Sequence, residues 1–84
     1  MDFVNQNILI TGAADGLGLA ISKSFANTKA NLFLVDINYH KLIENNISNS
    51  NNIKCDLSNI NSVKDLISKL SEDKVHIDIL IHNA

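Results

Sequence analysis

The chain has 84 residues, 45% of them hydrophobic, which allows one domain at most and a modest core. A net charge of −2 and a pI near 5.8, with seven Lys and no Arg, argue against nucleic acid or an anionic membrane as partner. Cys55 stands alone and excludes an intrachain disulfide, no Cys/His spacing suggests zinc, and no apolar run approaches the ~18 residues of a membrane span, so the expected address is the cytoplasm.

Residues 5–11 read as a first strand, with Ile8, Leu9 and Ile10 apolar in succession, as in a strand covered on both faces. A first helix is expected from about Gly16 to Thr28, carrying Leu17, Ile21 and Phe25 at four-residue spacing, with Gly18 and Ala20 small where it lies against a sheet. Residues 31–36 form a second strand that ends in the carboxylate of Asp36. Residues 39–47 predict a second helix on Leu42, Ile43 and Ile47, followed by a polar loop over 48–52 and a short third strand over 53–56. Ser58 is the expected N-cap of a third helix with the stripe Ile60, Val63, Leu66, Ile67 and Leu70, and residues 77–82 are the fourth strand. The β-α-β-α-β-α-β alternation, without proline or a hairpin signal, predicts parallel strands joined by crossovers. That is an α/β fold, half of a doubly wound sheet, with expected strand order 3-2-1-4 and a ligand at the carboxyl ends of the strands.

Thr11-Gly12-Ala13-Ala14-Asp15-Gly16-Leu17-Gly18 sits between the first strand and the first helix. Glycines permit positive φ and close approach of a ligand, and the helix start aims free N–H groups and a positive dipole end at the same place. An anion such as a phosphate belongs there. The run resembles the T-G-x-x-x-G-x-G signature of the short-chain dehydrogenase/reductase family and matches every fixed position. Extended members of that family, the sugar epimerases and dehydratases, would want glycine where Asp15 stands. A P-loop is excluded, since no Lys-Ser/Thr pair follows Gly16 or Gly18.

Asp36, 24 residues after Gly12, is placed to accept both ribose hydroxyls of the adenosine half of NAD and to repel the 2′-phosphate of NADP. Ile37 and Asn38 bring no cation to offset that repulsion, and without Arg there is no bidentate phosphate clamp. The plainer alternative is an exposed strand-end Asp that starts a turn. For Asp56-Leu57, the resemblance implies adenine binding, with the carboxylate on the exocyclic amine and the Leu57 N–H on a ring nitrogen; the alternative has Asp56 sharing the cap of the third helix with Ser58. Asp15 stands where the family commonly has Ser or, in NADP users, a basic residue. Beside a pyrophosphate it is repulsive unless it turns to cap the first helix.

Ile81-His82-Asn83-Ala84 resembles the start of the family's N-N-A-G element, with His82 in place of the first Asn. The resemblance implies that Asn83 stabilises the central sheet and that the Ala84 backbone lies near the adenosine ribose. His82 reads as a strand-end histidine, and His40 and His76 as solvated. The implied cofactor-binding set is Gly12, Ala14, Asp15, Gly16, Leu17, Gly18, Asp36, Ile37, Asp56, Leu57, Asn83 and Ala84.

The family's catalytic Ser and Tyr-x-x-x-Lys have no counterpart here: Tyr39 is followed four residues on by Ile43. No catalytic residue and no metal ligand is therefore assigned. The expectation is that residues 1–84 are the N-terminal, cofactor-binding part of an NAD-dependent oxidoreductase, ended by truncation or a partial gene, from a parent protein that is a homo-oligomer. The fourth strand would then be an apolar edge. A second reading, from another class, is a non-catalytic nucleotide-binding or interaction module that works at this length. A coding region continuing past Ala84 with Gly and a later Tyr-x-x-x-Lys separates the two.

Overall fold

A computed structural model describes residues 3–83. The elements run β1 (Asn7–Thr11), α1 (Gly16–Phe25), β2 (Asn31–Asp36), α2 (Tyr39–Asn45), β3 (Ser50–Lys54), α3 (Ile60–Glu72) and β4 (Ile79–Ile81). All three pairings are parallel and the order is β3-β2-β1-β4, as the alternation predicts.

Successive apolar residues in β1 and β2 divide between two cores, because neighbouring side chains of a strand face opposite ways. Ile8, Ile10, Leu32 and Leu34 pack with Leu42 of α2 and with Ile21 and Phe25 of α1. Leu9, Phe33, Val35, Ile53 and Cys55 pack on the other face against Leu66, Val63 and Leu70 of α3. The chain steps outward from β1 to β3 with both helices on one face. It then crosses back under the sheet through α3 to lay β4 on the free side of β1. The reversal of strand order lies between β1 and β4, where open α/β sheets hold their ligands at the carboxyl ends.

Several element details differ from the sequence expectation, each for a local reason. The strand β3 starts at Ser50 inside the predicted polar loop, because the ladder to β2 uses backbone groups and pairs Leu32 with Ser50 and Leu34 with Asn52. Asn49 at φ 58° sets that start, donating its amide to the Ala30 carbonyl at 2.6 Å. The helix α2 stops at Asn45 because Asn46 takes the left-handed conformation (φ 48°, ψ 51°). Its Leu42 is buried, Ile43 is exposed, and Ile47 packs on the core from beyond the helix.

The cap of α3 is Asn59 and not Ser58. The Asn59 carboxamide accepts from the Asn61 and Ser62 N–H groups. Ile60 and Ile67 lie outside the buried stripe of α3, 66% and 61% exposed. Ala20 is also solvent-facing; the small buried residues of α1 are Gly18 and Ser22, the Ser22 hydroxyl donating to the Gly18 carbonyl at 2.8 Å. The strand β4 is shorter than expected and pairs only with β1, and at this edge of the described sheet Leu80 is 64% exposed. No helix among the described residues is long and apolar enough to cross a membrane.

Candidate dinucleotide-binding site

The loop after β1 is fixed at several of its backbone groups. Gly12 turns at φ 62°, and the Ala13 N–H donates to the Val35 carbonyl at 3.2 Å. Ala14 is held from both ends: its N–H donates to Asp36 Oδ2 at 3.0 Å and its carbonyl accepts from Asn45 Nδ2 at 2.9 Å. Asp15 is the N-cap of α1, its carboxylate accepting the Gly16 N–H at 2.8 Å. The first helical bond runs from the Leu19 N–H to the Asp15 carbonyl at 3.1 Å. The N–H groups of Leu17 and Gly18 precede it and are left over for an anion. Leu17 itself is 66% exposed, so it sits on the rim and not in the core.

The three glycines answer different needs. Gly16, at φ +53°, has open space where a Cβ would stand, so backbone conformation is its requirement. Gly18 has no room. A Cβ there would overlap the Gly12 carbonyl oxygen and lie 2.7 Å from Asn83 Nδ2. That crowding comes from the loop and from the end of β4, two segments that the topology brings together.

Thr11 joins the same two segments. Its buried hydroxyl oxygen accepts the Asn83 N–H at 2.9 Å and lies 2.9 Å from His82 Nδ1. The Asn83 side chain reaches back to the Gly12 carbonyl at 3.4 Å. Asn83 thus ties the end of β4 to the glycine loop. Ala84 lies outside the described residues.

Beside the loop is a cleft of about 320 Å³ lined by Gly12, Val35, Asp36, Ile37 and the run Cys55 to Ser58. This is the lower end of the range for small-molecule sites. Asp36 stands on its wall, with Oδ1 accepting the Asn38 N–H at 2.9 Å and Oδ2 the Ala14 N–H. It does start a turn, as the plainer reading has it. A carboxylate has about four lone-pair sites, however, so two remain after both bonds. Asp56 gives one oxygen, Oδ1, to the Ser58 hydroxyl at 2.6 Å and the Ser58 N–H at 3.0 Å. Those bonds, the hydroxyl first, hold the Asp56 carboxyl below its ordinary 3.8, so it is ionised and acceptor-only at neutral pH. Its part in capping is therefore to the Ser58 turn ahead of α3 and not to the helix itself.

A family model, that of the short chain dehydrogenases, matches residues 6–84. The chain belongs to the short-chain dehydrogenase family. The "Uncharacterized oxidoreductase YxbG" of Bacillus subtilis (strain 168) is 35% identical over 86 residues, covering 95% of this chain and 32% of that protein. A solved 4-hydroxyisoleucine dehydrogenase complexed with NADH is 32% identical, with a TM-score of 0.81 over 90% of this chain and 32% of that one. The Pseudomonas aeruginosa RhlG/NADP complex superposes with a TM-score of 0.88 over 99% of this chain and 36% of its own, at 23% identity, a likeness of fold alone. The chain spans about a third of the length of the relatives it matches.

Two features of this candidate site are not apparent in the sequence. Asn45 lies 31 residues from Ala14, at the end of a helix whose pattern shows only its apolar face. Lys54 is paired with Asp36 in the strand register, a basic residue on the neighbouring strand that the residues following Asp36 do not reveal. Knowing that β3 begins at Ser50 would have placed it there. No group of three or more His, Cys, Asp and Glu among the described residues could hold a metal ion.

Proposed function

We propose that this chain is the adenosine- and pyrophosphate-binding part of an NAD-dependent oxidoreductase. The observation that carries the reading is Asp36: a strand-end carboxylate on the wall of the cleft, braced by two backbone N–H groups and with acceptor capacity to spare. The glycine cradle fits the cofactor, since Gly12 and Gly16 take positive φ and a side chain at Gly18 would fill the loop's own space. In this arrangement the Leu17 and Gly18 N–H groups meet the pyrophosphate, Asp36 meets the ribose hydroxyls with Ile37 beside it, and Asp56 Oδ2 with Leu57 meets the adenine. Asn83 closes the β4 side of the glycine loop, through Thr11 and Gly12. The bound cofactor supplies hydride chemistry, and no residue of this chain is assigned a catalytic role.

Preference for NAD over NADP follows from charge. The 2′-phosphate would face Asp36, and Lys54, its partner in the strand register, brings a flexible point charge and not a guanidinium fork. One unit-charge repulsion at about 4 Å is worth roughly 1–4 kcal/mol between bulk water and a protein surface. Calorimetric titration is therefore expected to show NADH binding tighter than NADPH by roughly 5- to 1,000-fold. Equal or tighter binding of NADPH would overturn the role given to Asp36. On family resemblance alone, the reading extends to a cytoplasmic homo-oligomer, and on net charge to one that does not bind nucleic acid.

A further inference from the structure

The Ala14 carbonyl is the one group of the glycine loop held by a side chain from α2. Ala14 is 2% exposed, so this oxygen has no ready replacement partner in solvent, and Asn45 Nδ2 donates to it at 2.9 Å. A carbonyl oxygen can only accept, which fixes the Asn45 amide with its NH₂ toward the loop. From this we infer that Asn45 is a positioning residue for the pyrophosphate, an inference that rests on the dinucleotide reading of the loop.

The peptide linking Ala14 to Asp15 is planar and trans. Pinning its carbonyl toward α2 therefore points the Asp15 N–H the opposite way and sets the plane from which α1 starts. The next N–H groups are that of Gly16, already taken by the Asp15 carboxylate, and those of Leu17 and Gly18. Their direction depends on the plane that Asn45 holds. Asp36 pins the N–H of the same residue, so the two side chains clamp Ala14 between β2 and α2. Asp36 also reaches the ribose, whereas Asn45 touches only the loop. Its effect is therefore specific to ligands that carry a pyrophosphate.

The test is calorimetric titration of ADP and of adenosine into the wild-type protein, Asn45→Ala and Asn45→Leu, the last keeping the bulk without the donor. ADP affinity is expected to fall about tenfold in both variants while adenosine affinity stays within about twofold. In the wild type, the Asn45 side-chain amide resonances should shift on addition of ADP and not of adenosine, a readout that needs no variant to fold. Unchanged ADP affinity, an equal fall for both ligands, or Asn45 resonances indifferent to ADP would overturn the inference while leaving the dinucleotide reading intact. A folded wild type that binds neither ligand would overturn both.

Discussion

Replacing Gly18 with alanine is expected to lower stability by about 3 kcal/mol and to weaken cofactor binding about a hundredfold, with Gly18→Val worse. The added Cβ would overlap the carbonyl oxygen of Gly12 and crowd the amide of Asn83. Neither is the loose end of a long side chain. Gly12 sits at φ 62° in a turn whose next residue is bonded to Val35, and Asn83 is tied to Thr11 through its backbone. Relief requires moving the loop that cradles the anion, so stability and binding fall together. Gly16→Ala is the control. It meets open space at φ +53°, and it should lose only about 1–2 kcal/mol through conformation while keeping the fold. Denaturant midpoints at unchanged slope, with NADH titrations alongside, separate the two variants. A Gly18→Ala protein with wild-type stability and affinity would contradict the geometry of the loop.

Asp36→Ala is expected to cost more than a lost ribose contact. The carboxylate holds two backbone N–H groups, those of Ala14 and Asn38, before any ligand arrives. Hydrogen bonds to a charged group are worth about 1.5–3 kcal/mol each when buried, and the partial exposure of Asp36 puts these at the low end or beneath it. The unliganded variant should therefore lose about 1–2 kcal/mol of stability, and NADH affinity should drop about 10- to 100-fold. NADPH affinity should change much less, because removing a repulsion is offset by a looser loop. The cofactor preference then narrows chiefly from the NAD side. Asp36→Asn keeps an acceptor without the charge and should fall between the two. Full retention of NADH affinity in Asp36→Ala would show that the ribose is held elsewhere.

What the sequence made legible is what short-range patterning can encode. The unbroken apolar runs of β1 and β2 require cover on both faces, and the structure places a separate core on each. The glycine spacing and the strand-end position of Asp36 marked the loop and its partner, although the hydrogen bond joining them emerges only from the fold. The misplaced features depend on partners distant in sequence. The Asn-rich start of β3 has no strand character of its own and is recruited by the edge of β2. Ser58 and Asn59 are both good caps, and the choice went to Asn59 because Asp56 engages the Ser58 hydroxyl first. Ala20 looked like a close-packing residue by size, but it is Ser22 that sits against the sheet with its hydroxyl satisfied inside α1. Asn45 carries no local signal, since its partner is a loop carbonyl 31 residues away.

The most direct test of the central claim is an NADH titration followed by backbone amide resonances of the uniformly labelled protein. Saturable shifts are expected to concentrate at Gly12 to Gly18, at Asp36 and Ile37, at Asp56 and Leu57, and at Asn83. The exposed face of α3, at Lys64, Asp65, Ser68 and Lys69, should stay unmoved. A folded protein whose resonances do not respond to NADH, or respond only on α3, would contradict the claim that these loops form a dinucleotide site.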